Sequence, residues 1–226
     1  MNIEILFEDS DLLVVNKPSG LSVLPEGWDI EAVFLIKLLE PVFGRLWVVH
    51  RLDKITSGVF LMARNPASHR DINIQFENHK VTKKYHAILV GVPGWTHYHA
   101  IQPLKSNSGH AHRTVVHRTK GKQASTYFQV MKYSENHIFV EASPETGRTH
   151  QIRAHAAATS HPILADLLYG APPTNIISRP ALHAYSLQFT HPTTQELVIF
   201  TASYPIDFQE GIKRLKLEDP TQNSGT

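Results

Sequence analysis

Short apolar runs separated by Gly, Pro and polar clusters dominate the chain, and most have strand character. "IEILFED" (3–9) and "LLVVNKPSGLSVLP" (12–25) read as two strands and a Pro/Gly loop. "LWVV" (46–49) and "VFLMA" (59–63) are continuous apolar runs that suit strands covered on both faces. "KKYHAILVGV", "ASTYFQVMKY" and "HIFVEASP" alternate well enough for strands, and "ALHAYSLQFTHP" with "ELVIFTAS" forms a closing pair joined through Pro192. Helical spacing appears in "IEAVFLIKLLEPVF" (30–43), where Pro41 marks the expected end, and in "PASHRDINIQFENHK" (66–80), where Pro66 suits a first turn. "THQIRAHAAATS" (149–160) and "PIDFQEGIKRLK" (205–216) read as the remaining helices. Many strands with a few interspersed helices predict an α+β fold on a largely antiparallel or mixed sheet. One compact domain over 1–216 is expected, with 217–226, polar and rich in Gly, Asn and Ser, as a flexible tail.

Composition narrows the class. The 226 residues are 42% hydrophobic and 19% charged, which is not a disordered composition. No apolar run approaches the ~20 residues of a membrane-spanning helix. The first residues lack the pattern of a signal peptide, and there is no cysteine; both fit a cytoplasmic protein. Net charge is only +2, but cations gather in "HKVTKKYH", "HAHRTVVHRTKGK" and "GRTHQIRAH". Such segments either neutralise phosphates or form solvated faces. Among the 15 histidines, His97 and His99 ("HYH") and His110 and His112 ("HAH") have strand spacing for a two-ligand site. Zinc takes three or four protein ligands and nothing nearby completes the set, so no metal is expected.

One carboxylate stands out. Asp53, in "HRLDKITSG" (50–58), lies in a short loop between two core strands. Asp is a common turn former, and Thr56, Ser57 and Gly58 are turn residues too. The other reading is a reagent. A half-buried reactive carboxylate needs a cation to keep it ionised and aimed, and Arg153 and Arg51 are candidates.

"HRLDKITSG" resembles the signature of the RluA-type pseudouridine synthases, whose catalytic residue is the Asp of Arg-Leu-Asp. "VNKPSGLSV", "KKYHAILVG", "GKQASTYFQV", "PETGRTHQIRAHAAATSHPILAD" and "LHAYSLQFTHP" resemble further motifs of that family in the same order, over roughly residues 3 to 203. Ala165 stands where the family often has Gly. On this resemblance the chain is expected to be similar to the short members without an S4-type RNA-binding domain, with its first strand that of the catalytic domain.

The resemblance implies the pseudouridine synthase catalytic fold with a central active-site cleft, and isomerisation of uridine to pseudouridine in tRNA or ribosomal RNA without a cofactor. Asp53 would be the nucleophile, or the stabiliser of cationic character on the sugar. Tyr85 would lie against the uracil and Arg153 would pair with Asp53. Arg51 would fill the space left by the flipped target nucleotide, since a stacked base hides its sugar carbon. His50, Lys83, Lys84 and Arg148 are the further expected RNA contacts. The expected partner is an RNA stem-loop, met by a monomer with no membrane involved. Two other readings share the scaffold: an RNA-binding module without catalysis, and a nucleoside or glycoside hydrolase. The second needs another carboxylate, for which Glu141 and Glu145 are the nearest candidates.

Overall fold

The computed structural model describes residues 3–25, 33–108 and 113–217. The elements in chain order are β1 (Glu4–Glu8), β2 (Leu12–Lys17), α1 (Leu35–Phe43), β3 (Trp47–Val48), β4 (Ser57–Ala63), α2 (Pro66–Glu77), β5 (Thr82–Val90), β6 (His97–Ala100), β7 (Leu104–Ser108), β8 (Arg113–Val116), β9 (Thr126–Tyr133), β10 (His137–Pro144), α3 (Gln151–Ala158), β11 (Leu182–Thr190), β12 (Leu197–Thr201) and α4 (Ile206–Arg214), with a 3-10 turn at Leu167–Tyr169. The α+β class is as expected. The chain divides into two compact units, one of residues 1–83 with 183–203, the other of 84–182 with 204–226.

In the first unit β2 pairs antiparallel with β1 and β4, and β11 runs parallel to β4 through His183–Ser57 and Ala184–Gly58. β12 lies antiparallel on β11. Leu12, Val14, Val59, Leu61, Ile72, Leu187 and Phe189 form the core. Gly58 is what lets β4 and β11 approach: its φ is +118°, and a Cβ there would lie 2.1 Å from the carbonyl oxygen of Ala184. α1 begins by giving the N–H groups of Leu35 and Ile36 to the carbonyls of Ser22 (2.8 Å) and Val23 (3.3 Å), which meets two of its unpaired donors. Pro41 does not end this helix. It lies inside α1, which stops at Gly44 with φ +73°. α2 starts as its sequence predicts, with Asn65 accepting from Ser68 N–H at 2.9 Å and Pro66 in the first turn. The strand expected at 46–49 is reduced to the half-buried pair Trp47–Val48.

In the second unit β10 pairs antiparallel with β5 and β9, and β6 pairs with β9. β7 and β8 form a hairpin where the sequence showed only a polar, basic stretch. α3 and α4 contribute Ile152, Ala156, Phe208 and Ile212 to a core with Ile88, Leu89, Phe128, Ile138 and Val140. Leu217, the expected start of the tail, is 2% exposed and belongs to this core; 218–226 lie outside the described residues.

Candidate functional site

The turn that carries Asp53 is closed by backbone: Thr56 N–H donates to the Asp53 carbonyl at 3.0 Å. A second loop, "KPSGL", is laced to it. Gly20 N–H donates to Lys54 O (2.8 Å) and the Ser19 hydroxyl to Ile55 O (2.6 Å). Lys17 is 0% exposed, and its ammonium donates to the carbonyls of Pro18 (2.9 Å), Leu21 (2.8 Å) and Lys54 (3.2 Å). A buried ammonium is stable only when its donors are met, so Lys17 fixes both loops at once. Behind them Ser57 Oγ lies 3.0 Å from His183 Nδ1, while His183 Nε2 faces Ala202 O at 3.2 Å. A carbonyl can only accept, so His183 is the Nε2–H tautomer and takes the Ser57 hydroxyl hydrogen.

Arg51 is exposed, Leu52 is buried and Asp53 is half-buried. In a strand, residues two apart would share a face; the segment here is irregular, and the two charged groups meet different surroundings. His50 is no cation. Its ring stacks on Phe60 and Phe76 (4.5 and 5.2 Å between centroids), and its Nε2 accepts the Leu61 N–H at 3.0 Å. Burial, and then the charge of Lys83, push its pKa down to about 3. Burial also lowers Lys83, to about 8.

In the second unit Tyr85 is half-buried on β5 opposite Ala142. Its neighbour Lys84 pairs with Glu141 at 3.0 Å. Glu141 also lies 3.7 Å from His86, whose Nδ1 meets the Tyr204 hydroxyl at 2.5 Å. Burial, opposed in part by Glu141, sets the His86 pKa at about 4. Both candidates for a hydrolase's second carboxylate are thus engaged, Glu141 by Lys84 and Glu145 by the Ser125 hydroxyl.

Arg153 is 4% exposed on α3, not a surface residue. Its Nε and Nη2 donate to Asp166 Oδ2 (2.7 Å) and Oδ1 (2.8 Å), and Asp166 is 1% exposed. This forked pairing holds the guanidinium plane in one orientation. Its approach depends on Ala165, whose φ of +63° is left-handed and explains why Gly suits that position. The Arg153 guanidinium lies over the Tyr169 ring, 4.9 Å from its centroid. The start of α3 is knotted by Gln151. Its Oε1 accepts from Thr146 Oγ1 (2.6 Å) and Arg148 N–H (2.9 Å), and its Nε2 donates to Ser125 O and Thr126 Oγ1, both at 2.9 Å. The side chain of Arg148 is exposed and reaches Gln123 O at 3.0 Å.

Among the described residues one cluster has metal-ligand geometry, Asp9, Asp11 and His191. Its oxygens are engaged by protein donors. Asp11 takes the hydroxyls of Ser68 (2.6 Å) and Thr193 (2.7 Å), whose hydrogen bonds, the Ser68 bond foremost, lower its pKa; Asp9 takes His191 Nε2–H at 2.8 Å. The "HYH" pair is exposed on β6, with His99 on Ser125 at 2.8 Å; "HAH" lies outside the described residues.

The expected residues fall into two sets. His50, Arg51, Asp53 and Lys83 belong to the first unit, and Lys84, Tyr85, Arg148 and Arg153 to the second. Lys17, Asp166 and Tyr169 were not read from the sequence. Their only signals were a lysine closing an apolar strand and an "AD" turn after "HPIL".

Comparison with known proteins gives a consistent result. The family description "RNA pseudouridylate synthase" matches residues 11–158. Ribosomal large subunit pseudouridine synthase D of Zymomonas mobilis is 34% identical over 235 residues, covering 96% of this chain and 74% of that one. An uncharacterised RNA pseudouridine synthase of Bacillus subtilis is 36% identical over 224 residues, with the same coverage. Among solved structures, human RNA pseudouridylate synthase domain containing 4 superposes with a TM-score of 0.80 at 27% identity, covering 96% of this chain and 94% of that one.

Proposed function

The chain belongs to the RNA pseudouridylate synthase family, and from that premise we propose that Asp53 is the carboxylate on which its reaction turns. The protein is an enzyme of RNA pseudouridylation: the N1 glycosidic bond of a uridine is broken and C5 of the same uracil is joined to C1′. The observation that carries the Asp53 reading is the construction of its turn. Backbone closes it, and Lys17 and Ser19 pin it, so the carboxylate stands on a fixed support. A charged group on a prearranged support does not have to be reorganised when charge develops on the sugar. Tyr85 and Arg153 serve the same reaction, the tyrosine against the base and the arginine as a fixed cation. Arg51 is exposed and suits the support of an unstacked substrate.

The substrate class we propose is a stem-loop of large-subunit ribosomal RNA, the target printed in the names of the relatives, bound by a single copy of the enzyme in the cytoplasm. No helix among the described residues is long and apolar enough to cross a membrane. The test uses purified enzyme with transcripts of large-subunit ribosomal RNA and, separately, tRNA, with pseudouridine mapped by carbodiimide adducts and primer extension. Wild type introduces the modification, while Asp53→Asn binds RNA and leaves it unmodified, because phosphate contacts dominate affinity. Turnover by Asp53→Asn, or release of free uracil, would overturn the assignment.

A further inference from the structure

The basic hairpin β7–β8 and the helix that carries Arg153 are fastened to each other at two points. His155, near the end of α3, faces the carbonyl of Gln102 with Nε2 at 3.0 Å, just before β7. Thr114 of β8, 1% exposed, donates its backbone N–H to the Tyr169 hydroxyl at 2.9 Å. That hydroxyl lies 3.1 Å from Nδ1 of His150, the residue that opens α3 in a left-handed conformation. Its oxygen accepts from Thr114, and the same hydroxyl, with its hydrogen or its remaining lone pair, meets His150, so the three residues form one hydrogen-bonded chain. Burial raises the Tyr169 pKa, which keeps that hydrogen in place. Arg153 sits on α3 between the two tied residues, with its guanidinium over the Tyr169 ring.

The joint is packed as well as bonded. Leu104, Ala124, Ala154 and Tyr169 form a small core of their own, drawn from the hairpin base, α3 and the turn after Asp166. The base is stiff. Leu104 and Lys122 exchange backbone bonds of 2.9 and 2.8 Å, and a Cβ on Gly121 would lie 2.4 Å from His117 O. Arg113, Arg118, Lys120 and Lys122 are exposed on the hairpin and the turn beyond it, a charge arrangement that suits RNA phosphates. A load on this arm therefore reaches α3 through Tyr169 as well as through His155.

We propose that Tyr169 is a positioning residue that couples RNA seated on the β7–β8 hairpin to the guanidinium of Arg153, so that part of the hairpin's binding energy appears as kcat rather than affinity. The proposal rests on the reading of Arg153 as part of the reaction.

The test is a cycle on kcat and RNA affinity, with Arg113→Gln/Arg118→Gln as the hairpin variant and Tyr169→Phe, which keeps the ring and removes the hydroxyl. In the wild-type background the hairpin variant weakens RNA binding and lowers kcat about 2- to 30-fold, the span by which substitutions along a coupling path change it. In the Tyr169→Phe background it weakens binding by the same factor and lowers kcat by a clearly smaller factor, since only the His155 tie is left. A purely structural tyrosine would shift thermal stability and leave the two kcat factors equal. Equal factors, or no effect of the hairpin variant on kcat, overturn the proposal. His150→Asn tolerates the left-handed backbone and cuts the same chain beyond the Thr114 bond, so it decides the matter if Tyr169→Phe does not fold. Arg153→Lys is measured alongside: wild-type kcat in that variant removes Arg153 from the reaction, whereas the hairpin cycle is read without it.

Discussion

Replacing Lys17 by Met tests whether the pinned turn matters for turnover. The side chains are of similar length, so the exchange removes an ammonium without opening a large cavity. Three carbonyls lose a donor, those of Pro18, Leu21 and Lys54. Lys54 O keeps the Gly20 N–H at 2.8 Å, so the loss falls mainly on the other two. Charge-assisted bonds contribute roughly 1.5–3 kcal/mol each, and the relief of burying no ammonium offsets part of that. The expected cost is about 2–4 kcal/mol, less than the total stability of an ordinary domain of about 5–15 kcal/mol. Lys17→Met is therefore folded at 25 °C with a Tm lowered by roughly 5–15 °C. Activity should fall further than stability. The released segment includes Lys54, next to Asp53, and a displacement of about 1 Å at a reacting group can lower the rate about 100-fold. The assay is pseudouridine formation at saturating RNA and 25 °C, beside a thermal melt of the same sample. Wild-type turnover in a protein whose Tm has dropped as calculated would show that the lacing stabilises the fold without aiming the carboxylate. An unchanged Tm would refute the account of Lys17 itself.

The remaining predictions concern stability. Gly58→Ala places a Cβ against the Ala184 carbonyl at a φ of +118°, so the variant should lose several kcal/mol (about 3 or more) and be recovered mostly as insoluble protein. Arg153→Ala strands Asp166 in a buried site and should cost about 3–5 kcal/mol in a urea titration, whereas Arg51→Ala, at an exposed position, should stay within about 0.5 kcal/mol. Below pH 6.5 the unfolded chain protonates its histidines while His86, with a folded pKa of about 4, stays neutral. Stability is therefore full above 6.5 and falls as pH drops toward 4, by up to about 1.4 kcal/mol per pH unit for this residue alone. His86→Gln should shallow that slope in urea midpoints measured between pH 6.5 and 4.5.

Periodicity and turn chemistry determined most of the secondary structure, because those signals are local. The Asn65–Pro66 start of α2 and the alternation in β9 and β10 are carried by adjacent residues alone. The order of several motifs likewise brought out Asp53, Tyr85 and Arg153. Where the sequence misled, a distant partner decided. Pro41 is tolerated within α1, which Gly44 ends. His50, expected only as an RNA contact, is a neutral ring between Phe60 and Phe76, because burial, and then the charge of Lys83, lower its pKa. The hairpin β7–β8 was hidden because its strands are short and polar and it is held by Tyr169 and His155, 55 and 53 residues from Thr114 and Gln102. Arg153 could be read as a functional arginine, but not as the forked partner of Asp166. Lys17 could not be read at all, since three carbonyls from two loops have to converge before a buried ammonium becomes stable. Sequence fixes which groups are available and the local conformations they prefer; which buried charge is met by which oxygen is a property of the folded chain, where groups far apart in sequence are brought within 3 Å of each other and water is gone.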